Sequence, residues 1–310
     1  MSAGRVVVID PYLDEGWIDE LRAGWDPGAY ELLVPTEPAV ADEEMRTADV
    51  VVVTGRRRLD AEALAGLTRT RGIVCLSTGT DQVDVAAAEA AGIRVANVPD
   101  YCSVDVADHA MTLLLAAQRR LPPLAAAARR GDWDVFNSAD VDAIRRLEGQ
   151  TLGVLGAGRI GRLVCRRAQA FGFETIAHDP FDVDPEGLYE PVSVDELAAR
   201  SDALVLCAAL TSDSRHVIGE SFLRGVRPGL ILVNVARGGL VDEAALVQAL
   251  DDGRVSVAAL DVRETEPPGV DDPLASRDDV IVTTHLAGMS DRAFDDLVAK
   301  AGATILEMLR

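Results

Sequence analysis

Short apolar segments alternate with helical segments along the whole chain, and this alternation limits the possible folds more than any other feature. Ten of the apolar segments have the length and composition of strands that are buried on both faces of a sheet. They cover residues 5–10, 49–54, 72–77, 94–99, 151–156, 174–179, 203–208, 230–235, 257–262 and 279–285. Strands that alternate with helices form parallel sheets with helices on both faces. The sequence therefore predicts an α/β protein with doubly wound parallel sheets.

The predicted strands fall into two groups. A helical segment over about 104–120 is followed by Leu121-Pro122-Pro123, which should interrupt it, and by an arginine-rich stretch. Six strands remain after this stretch, which is the number in a complete dinucleotide-binding sheet. We therefore predict a nucleotide-binding unit over 151–285 and another domain before it. The last segment, 290–310, is predicted to be one helix with Ser290 as its N-cap.

Composition and charge exclude several classes of function. The formal net charge is −21, and so acidic a surface repels nucleic-acid phosphate and anionic lipid. The N-terminal segment does not have the form of a signal peptide, and no apolar run reaches the roughly 18 residues that a spanning helix needs. The four cysteines form no CxxC pair and no metal-ligand spacing. We therefore expect a cytoplasmic protein with reduced thiols, no nucleic-acid or membrane partner and no metal site.

A glycine array marks the start of the second group of strands. Gly156, Gly158 and Gly161 form a GxGxxG pattern where the fifth predicted strand leads into a helix. The first glycine permits a tight turn, the second lets the backbone approach a pyrophosphate, and the third lets the helix pack closely on the strand. The next strand ends at Asp179, where a carboxylate would bind ribose hydroxyls and repel a 2′-phosphate. Because residues 180–182 include no cation, the pattern predicts NAD in preference to NADP.

Three ionisable side chains lie at or beyond the carboxyl ends of predicted strands, where open α/β sheets bind their ligands. Arg237 follows the strand 230–235, Glu266 lies beyond the strand 257–262, and His285 ends the last strand. An arginine can hold a carboxylate and polarise the adjacent carbonyl, and a histidine can exchange a proton near neutral pH. A glutamate beside that histidine would favour its protonated form. Together these groups suit proton exchange that accompanies hydride transfer.

Three segments carry these residues in the order of one known family. They are Asn234-Val-Ala-Arg-Gly-Gly-Leu-Val-Asp-Glu243, Ala259-Leu-Asp-Val-Arg-Glu-Thr-Glu-Pro267 and Thr283-Thr-His-Leu-Ala-Gly288. Over nearly its whole length the sequence resembles the D-isomer-specific 2-hydroxyacid dehydrogenases. Residues 97–102 and 106–110 are similar to the branch related to C-terminal-binding proteins.

The resemblance implies a fold and an activity. The fold is a flavodoxin-like catalytic domain, built from both chain ends, around an inserted Rossmann NAD-binding domain, with the active site in the cleft between them. We expect the catalytic domain over 1–100, the NAD-binding domain over 101–285, and a C-terminal helix over 286–310 that returns to the catalytic domain. The implied activity is that of an NAD-dependent D-2-hydroxyacid dehydrogenase, or 2-ketoacid reductase, which acts as a homodimer on a small-molecule substrate.

The resemblance also implies roles for individual residues. Arg237 would hold the substrate carboxylate, His285 would protonate the carbonyl oxygen, Glu266 would orient His285, and Asp261 would lie near the nicotinamide carboxamide. The expected substrate contacts are Ser77, Thr78, Gly79, Arg237 and His285. The expected cofactor contacts are Gly156, Gly158, Arg159, Ile160, Gly161, Asp179, Pro180, Cys207, Ala208, Thr211, Val235, Ala236, Asp261, His285 and Gly288.

Two alternative functions remain open at this point. The similarity to the C-terminal-binding proteins allows an NAD-sensing binding protein, in which cofactor occupancy controls association with partners. A phosphoglycerate-type substrate would need a second cation, and Arg56-Arg57-Arg58 could supply one if this run reaches the site. In the branch related to the C-terminal-binding proteins, relatives can hold an arginine at the position of Cys75, which is neutral. We therefore expect small or apolar 2-keto monoacids to be better substrates than dicarboxylates.

Overall fold

Two sheets, each with all of its strands parallel, organise the chain. The computed structural model describes residues 4–9, 15–25, 28–35, 37–54, 57–134, 138–181 and 187–310. The chain divides into two compact units: Met1–Cys102 together with Met289–Arg310, and Ser103–Gly288. Each unit contains one sheet, as the alternation of strands and helices predicts.

The first unit has a five-stranded sheet in the order β2-β1-β3-β4-β5, which is the flavodoxin-like order. Its strands are β1 (Gly4–Ile9), β2 (Tyr30–Leu33), β3 (Val50–Val53), β4 (Gly72–Cys75) and β5 (Arg94–Asn97). Its helices are α1 (Glu15–Gly24), α2 (Pro38–Met45), α3 (Ala61–Ala65), α4 (Val85–Ala90) and, from the C-terminal segment, α12 (Asp291–Leu309). The central strand β3 consists of four buried valines, because helices cover both faces of the sheet.

Helix α12 completes the core of the first unit. Ser290 caps it, since its hydroxyl oxygen accepts a hydrogen bond from the Ala293 N–H at 3.0 Å. The helix packs so closely on the sheet that a Cβ added at Gly72 would lie 2.2 Å from the Met308 sulfur. The indole of Trp25 donates a hydrogen bond to the Val298 carbonyl at 2.8 Å. The last segment of the sequence is therefore built into the same core as the first strands.

The second unit has a seven-stranded sheet in the order β12-β11-β10-β9-β6-β7-β8. Its strands are β6 (Thr151–Leu155), β7 (Glu174–His178), β8 (Glu190–Pro191), β9 (Ala203–Leu206), β10 (Leu230–Asn234), β11 (Val255–Leu260) and β12 (Val280–Val282). Its helices are α5 (Ser103–Gln118), α6 (Leu121–Arg129), α7 (Ala139–Asp142), α8 (Arg159–Ala170), α9 (Val194–Arg200), α10 (Glu220–Gly225) and α11 (Glu243–Asp251). The chain reverses its direction of winding between β6 and β9, and dinucleotides bind at such a switch point.

The structure differs from the sequence prediction at the sheet edges and at His285. All ten predicted strands are present, but the edge strands β2 and β8 were not predicted, so the second sheet has seven strands instead of six. Edge strands need less apolar sequence: β2 carries the exposed Glu31, and β8 ends in a proline, which only an edge tolerates. Strand β12 ends at Val282, so His285 lies in the following loop and not at the strand end.

Other sequence predictions concern the helices and the first strand. The prolines at 122 and 123 do interrupt the helical stretch, and they begin a new helix, α6, in the turn where proline is tolerated. The predicted first strand extends to Asp10, which lies outside the described residues, as does Arg56. Among the described residues, no helix has the length and apolar character needed to cross a membrane.

Candidate active site

The turn between β6 and α8 has no room for a side chain at two of its glycines. Gly156 has a φ of +92°, and a Cβ added there would lie 2.5 Å from the Ala208 nitrogen. A Cβ at Gly161 would lie 2.0 Å from the Gly156 oxygen. At Gly158, the N-cap of α8, an added Cβ would meet nothing within 4 Å. The backbone is thus open to a ligand at the N-terminus of a 12-residue helix, which is the arrangement that binds a pyrophosphate.

Asp179 lies directly after β7, beside this turn. Its Oδ2 accepts a hydrogen bond from the Ala157 N–H at 2.8 Å, and its Oδ1 accepts one from the Phe181 N–H at 2.9 Å. Both bonds come from backbone groups, so the position of the carboxylate is set by the turn itself. Each carboxylate oxygen can accept a further hydrogen bond. The residues present therefore fit a nucleotide whose ribose hydroxyls reach Asp179.

The remaining predicted cofactor contacts follow strands of the same sheet. They are Arg159 and Ile160 in the first turn of α8, Pro180 after β7, Cys207, Ala208 and Thr211 after β9, Val235 and Ala236 after β10, Asp261 after β11, and Gly288 at the end of the unit. Because the strands are parallel, their carboxyl ends lie along one edge of the sheet. The structure brings these residues to the edge where the glycine turn lies.

A histidine and a glutamate form a close pair on this edge. His285 Nδ1 lies 2.6 Å from Glu266 Oε2, and the other glutamate oxygen, Oε1, accepts a hydrogen bond from the Arg263 N–H at 2.8 Å. Burial favours the neutral carboxyl, but the hydrogen bonds from His285 and Arg263 and the nearby charges of His285 and Arg237 outweigh it. Together they hold the pKa of Glu266 below its ordinary value. Within the described residues His285 Nε2 has no protein partner, and the side chain is 47% exposed.

Asp261 holds the loop that carries His285. Its buried carboxylate accepts hydrogen bonds from the Thr283 hydroxyl at 2.6 Å, the Leu286 N–H at 3.0 Å and the Ala287 N–H at 2.9 Å. Its main-chain oxygen accepts one from the His285 N–H at 2.8 Å. His285 has a φ of +56°, an uncommon conformation for a residue with a side chain, of the kind that surrounding bonds must enforce. Asp261 thus fixes the backbone beneath the histidine.

Arg237 lies just beyond β10 in a loop that Asn234 organises. The Asn234 side chain donates to the Arg237 carbonyl at 2.9 Å and accepts from the Ala236 N–H at 3.1 Å. The Arg237 guanidinium donates to the Ala236 carbonyl at 2.7 Å. The loop packs against the loop of Glu266, since a Cβ added at Gly238 would lie 2.0 Å from the Arg263 oxygen, and the charge of Arg237 contributes to the lowered pKa of Glu266. The structure therefore brings Arg237, Glu266 and His285 together.

Sequence reasoning missed the residues that position these three side chains. Asn234 carried a signal, because an asparagine at a strand end commonly binds the backbone of the following residues. His109 carried none, since its Nε2 lies 3.1 Å from the hydroxyl of Thr283, a residue 174 positions later. Arg263 also carried none, because its carboxylate partner Glu243 lies 20 positions earlier.

The predicted substrate loop lies in the first unit, just after β4. The Ser77 hydroxyl donates to the Gly79 carbonyl at 2.7 Å and accepts from the Gln82 side chain at 2.9 Å. The Thr78 carbonyl accepts a hydrogen bond from the Asn97 side chain. Across the described part of the chain, the backbone N–H groups of Thr78 and Gly79 have no protein acceptor. The loop is held by its own side chains and keeps backbone donors available.

Comparison with known proteins gives consistent matches. The family profile for "D-isomer specific 2-hydroxyacid dehydrogenase, NAD binding domain" matches residues 111–287. The glycerate dehydrogenase of Methylorubrum extorquens is 36% identical over 298 residues, which cover 94% of this chain and 92% of that protein. The D-lactate dehydrogenase of Aquifex aeolicus, solved with NAD and lactic acid, has a TM-score of 0.84 and 28% identity, over 97% of this chain and 93% of that chain.

A longer relative matches only in part. The D-3-phosphoglycerate dehydrogenase of Methanocaldococcus jannaschii is 36% identical over 308 residues, which cover 97% of this chain but 56% of that protein. The chain thus spans about half the length of the phosphoglycerate dehydrogenases that it matches.

Proposed function

The chain belongs to the D-isomer-specific 2-hydroxyacid dehydrogenase family, and from this premise we propose that it is an NAD-dependent reductase that converts a small 2-keto acid into the D-2-hydroxy acid. One observation carries the proposal: His285 Nδ1 lies 2.6 Å from Glu266 Oε2, with Arg237 nearby, on the sheet edge that carries the nucleotide turn. Bound NADH supplies the hydride in this chemistry. The residues of the chain supply the proton, hold the carboxylate and fix the geometry.

In this proposal, His285 and Glu266 handle the proton. Glu266 stays ionised near neutral pH because its pKa is lowered, and a carboxylate at this distance stabilises a protonated imidazole. The proton on Nε2 then passes to the carbonyl oxygen as the keto acid is reduced, and returns during oxidation. The hydrogen bonds of Asp261 keep the imidazole in place throughout.

Two groups suit the substrate carboxylate. The planar guanidinium of Arg237 can form two parallel hydrogen bonds with a carboxylate and polarise the adjacent carbonyl. In the first unit, which we assign as the substrate domain, the backbone N–H groups of Thr78 and Gly79 are donors of the kind that bind anions. We propose both as carboxylate ligands.

We propose an unphosphorylated substrate. Burial, with a smaller effect from Asp81, raises the pKa of the Cys75 thiol to about 12, so this position supplies no charge at neutral pH. Arg57 is paired with Asp42, and Arg56 lies outside the described residues. The similarity to a glycerate dehydrogenase supports a small hydroxy acid as the product of this protein. The similarity to the phosphoglycerate dehydrogenases makes a phosphorylated acid the second candidate.

The test is a screen for NADH oxidation at 340 nm with pyruvate, glyoxylate, hydroxypyruvate, a branched 2-keto acid, oxaloacetate and phosphohydroxypyruvate. We expect the highest kcat/KM with one of the first four acids, which carry no charge apart from the 2-keto carboxylate. A preference for phosphohydroxypyruvate would support the second candidate. Cofactor binding without turnover of any acid would contradict the proposal and favour an NAD-sensing binding protein.

The fixed carboxylate of Asp179 should select the cofactor. We expect the protein to use NADH at least about tenfold better than NADPH in kcat/KM, which corresponds to ~1.4 kcal/mol, because the carboxylate repels a 2′-phosphate. Asp179→Ala should narrow this ratio, whereas Asp195→Ala, which removes an exposed carboxylate of α9, should leave it unchanged. Equal use of both cofactors by the unmodified protein would refute this assignment.

Glu266 should set the pH range of the reaction. Reduction needs a protonated imidazole, so it declines as the pH rises; without the carboxylate the imidazole gives up its proton at lower pH. We therefore expect Glu266→Gln to move the alkaline limit of kcat/KM for reduction to lower pH. The matched control is Glu264→Gln, because Glu264 binds His216 and Arg215 instead. Identical profiles for wild type and Glu266→Gln would show that the two residues are not coupled.

We also propose that the protein is a cytoplasmic homodimer. The four cysteines all lie within the described residues and form no disulfide, which is typical of a reducing compartment. The second unit leaves large apolar side chains exposed near α5 and α6: Val104, Leu121 and Trp133, the last of them 78% exposed. Such side chains are commonly covered in an interface. Sedimentation velocity would show a dimer that Trp133→Arg weakens; a wild-type monomer at micromolar concentration would refute the dimer.

A further inference from the structure

Arg263, in the loop after β11, is a buried cation held by two carboxylates. Its Nε and Nη2 donate to the two oxygens of Glu243 at 2.9 and 3.0 Å. Its Nη1 and Nη2 donate to the two oxygens of Asp272 at 2.6 and 2.8 Å. The arginine side chain is only 4% exposed. Two bidentate pairs on one planar group leave it a single orientation.

The backbone of the same residue contacts Glu266, which lies in the same loop, and the separate loop that carries Arg237. Its N–H donates to Glu266 Oε1 at 2.8 Å. Its carbonyl lies against the residue after Arg237, since a Cβ added at Gly238 would lie 2.0 Å from the Arg263 oxygen. The next residue is also anchored, because the Glu264 N–H donates to Glu243 Oε1 at 2.9 Å.

We propose that Arg263 is a positioning residue for the reaction: its two carboxylate pairs fix the N–H group that binds Glu266 Oε1, and so direct Glu266 Oε2 toward His285. This inference rests on the proposed function, and it extends the set of residues that the reaction needs. The role requires an arginine, because a lysine ammonium can form neither of the two bidentate pairs. Without the ion pairs of Arg263 with Glu243 and Asp272, the loop would let Glu266 move away from the imidazole.

The charged groups around His285 determine how a displacement of Glu266 would affect protonation of the imidazole. Among the described residues, two charged groups act near the pair of His285 and Glu266: Arg237, which acts on Glu266, and Asp261, whose carboxylate binds the loop beneath the histidine. His109 lies beyond Asp261, at 3.5 Å from its Oδ1. Within the described part of the chain, the carboxylate in contact with the ring is that of Glu266, at 2.6 Å, and its displacement disfavours the imidazolium.

The test compares Arg263→Lys with Arg277→Lys. Arg277 is a matched control in the same unit: it donates twice to Asp279, at 2.8 and 2.9 Å, and once to Asp251, at 2.7 Å, and touches none of the proposed catalytic residues. The first readout is the titration of the His285 ring protons by NMR. The chain has only four histidines, so the His285 signal can be assigned by its loss in His285→Ala.

We expect the His285 titration to move to lower pH in Arg263→Lys, because a displaced Glu266 carboxylate no longer supports the imidazolium. It should stay unchanged in Arg277→Lys. We also expect kcat for reduction to fall by roughly 10–100-fold in Arg263→Lys with little change in KM, since small displacements of reacting groups have effects of this size. The melting temperature of both variants, measured in parallel, separates positioning from a general loss of stability.

Each outcome decides the matter. An unchanged His285 titration in folded Arg263→Lys, or an equal shift in Arg277→Lys, would overturn the inference. If Arg263→Lys fails to fold, Glu243→Gln is tested instead, because it removes one of the two ion pairs of Arg263 with little change of shape. A smaller shift of the His285 titration in the same direction supports the inference. The absence of any shift overturns it. If the wild type reduces no keto acid but the titration shifts as expected, the proposed function fails while the link from Arg263 to His285 stands.

Discussion

Replacement of His285 by alanine is expected to lower kcat for keto-acid reduction by roughly 10²–10⁴-fold while NADH still binds. Its imidazole contacts an ionised carboxylate through Nδ1, lies on the nucleotide edge of the sheet, and has no partner for Nε2 among the described residues. Without it, the developing alkoxide must take its proton from water. NADH affinity, measured by fluorescence, should change little, because the nucleotide turn at Gly156 and Gly158 lies elsewhere along the edge.

The chain offers a matched control for this change. His216 also pairs with a glutamate, since its Nε2 lies 2.8 Å from Glu264 Oε1, but it has no part in the proposed chemistry. We expect His216→Ala to retain kcat within about threefold, a change of less than ~1 kcal/mol. If His285→Ala kept more than a tenth of the wild-type kcat, the proton would have to come from another group.

Arg237→Lys should also lower the activity strongly. Lysine keeps the charge but cannot form the two parallel hydrogen bonds of the guanidinium. Truncating one side of a desolvated charged pair costs roughly 2–5 kcal/mol, and the retained charge should place lysine near the lower value. We therefore expect kcat/KM to fall about thirtyfold or more, with NADH affinity nearly unchanged.

Steady-state kinetics on pyruvate-like, branched and dicarboxylic keto acids would check this expectation. Arg215→Lys is the control, since Arg215 pairs with Glu264 at an exposed position and has no assigned contact with substrate. A loss of less than threefold in Arg237→Lys would show that another group holds the carboxylate. A clear preference of the wild type for dicarboxylates would indicate a second cation at the site.

The sequence was sufficient for the parts of the molecule that depend on local pattern. The positive φ of Gly156 and the contact of Gly161 with the Gly156 oxygen both arise within the turn, so the array could be recognised from local sequence. The further contact of Gly156 with Ala208 could not be predicted in this way. The buried strands were visible as continuous apolar runs, whereas β2 and β8 lie at edges, where Glu31 and Pro191 are tolerated and the pattern disappears.

Positioning residues could not be predicted in the same way. Asp261 was expected to lie near the nicotinamide, but its contacts with Leu286 and Ala287 depend on how the loop after β12 turns back. From the sequence alone, Arg263 would be taken for an exposed arginine. Its carboxylate partners Glu243 and Asp272 lie 20 positions before it and 9 positions after it in the chain. Such roles arise from side chains far apart in sequence, which local spacing does not encode.

The packing of α12 has a consequence for the order in which the protein is made. Residues 103–288 leave the ribosome as a complete unit with its own sheet and core. The strands of the first unit are synthesised earlier, yet the surface that Met308 and Val298 cover stays open until residues 289–310 emerge. The sheet of the first unit thus closes its core only after residues 103–288 have been made, and until then its exposed apolar surface can bind chaperones or misassemble.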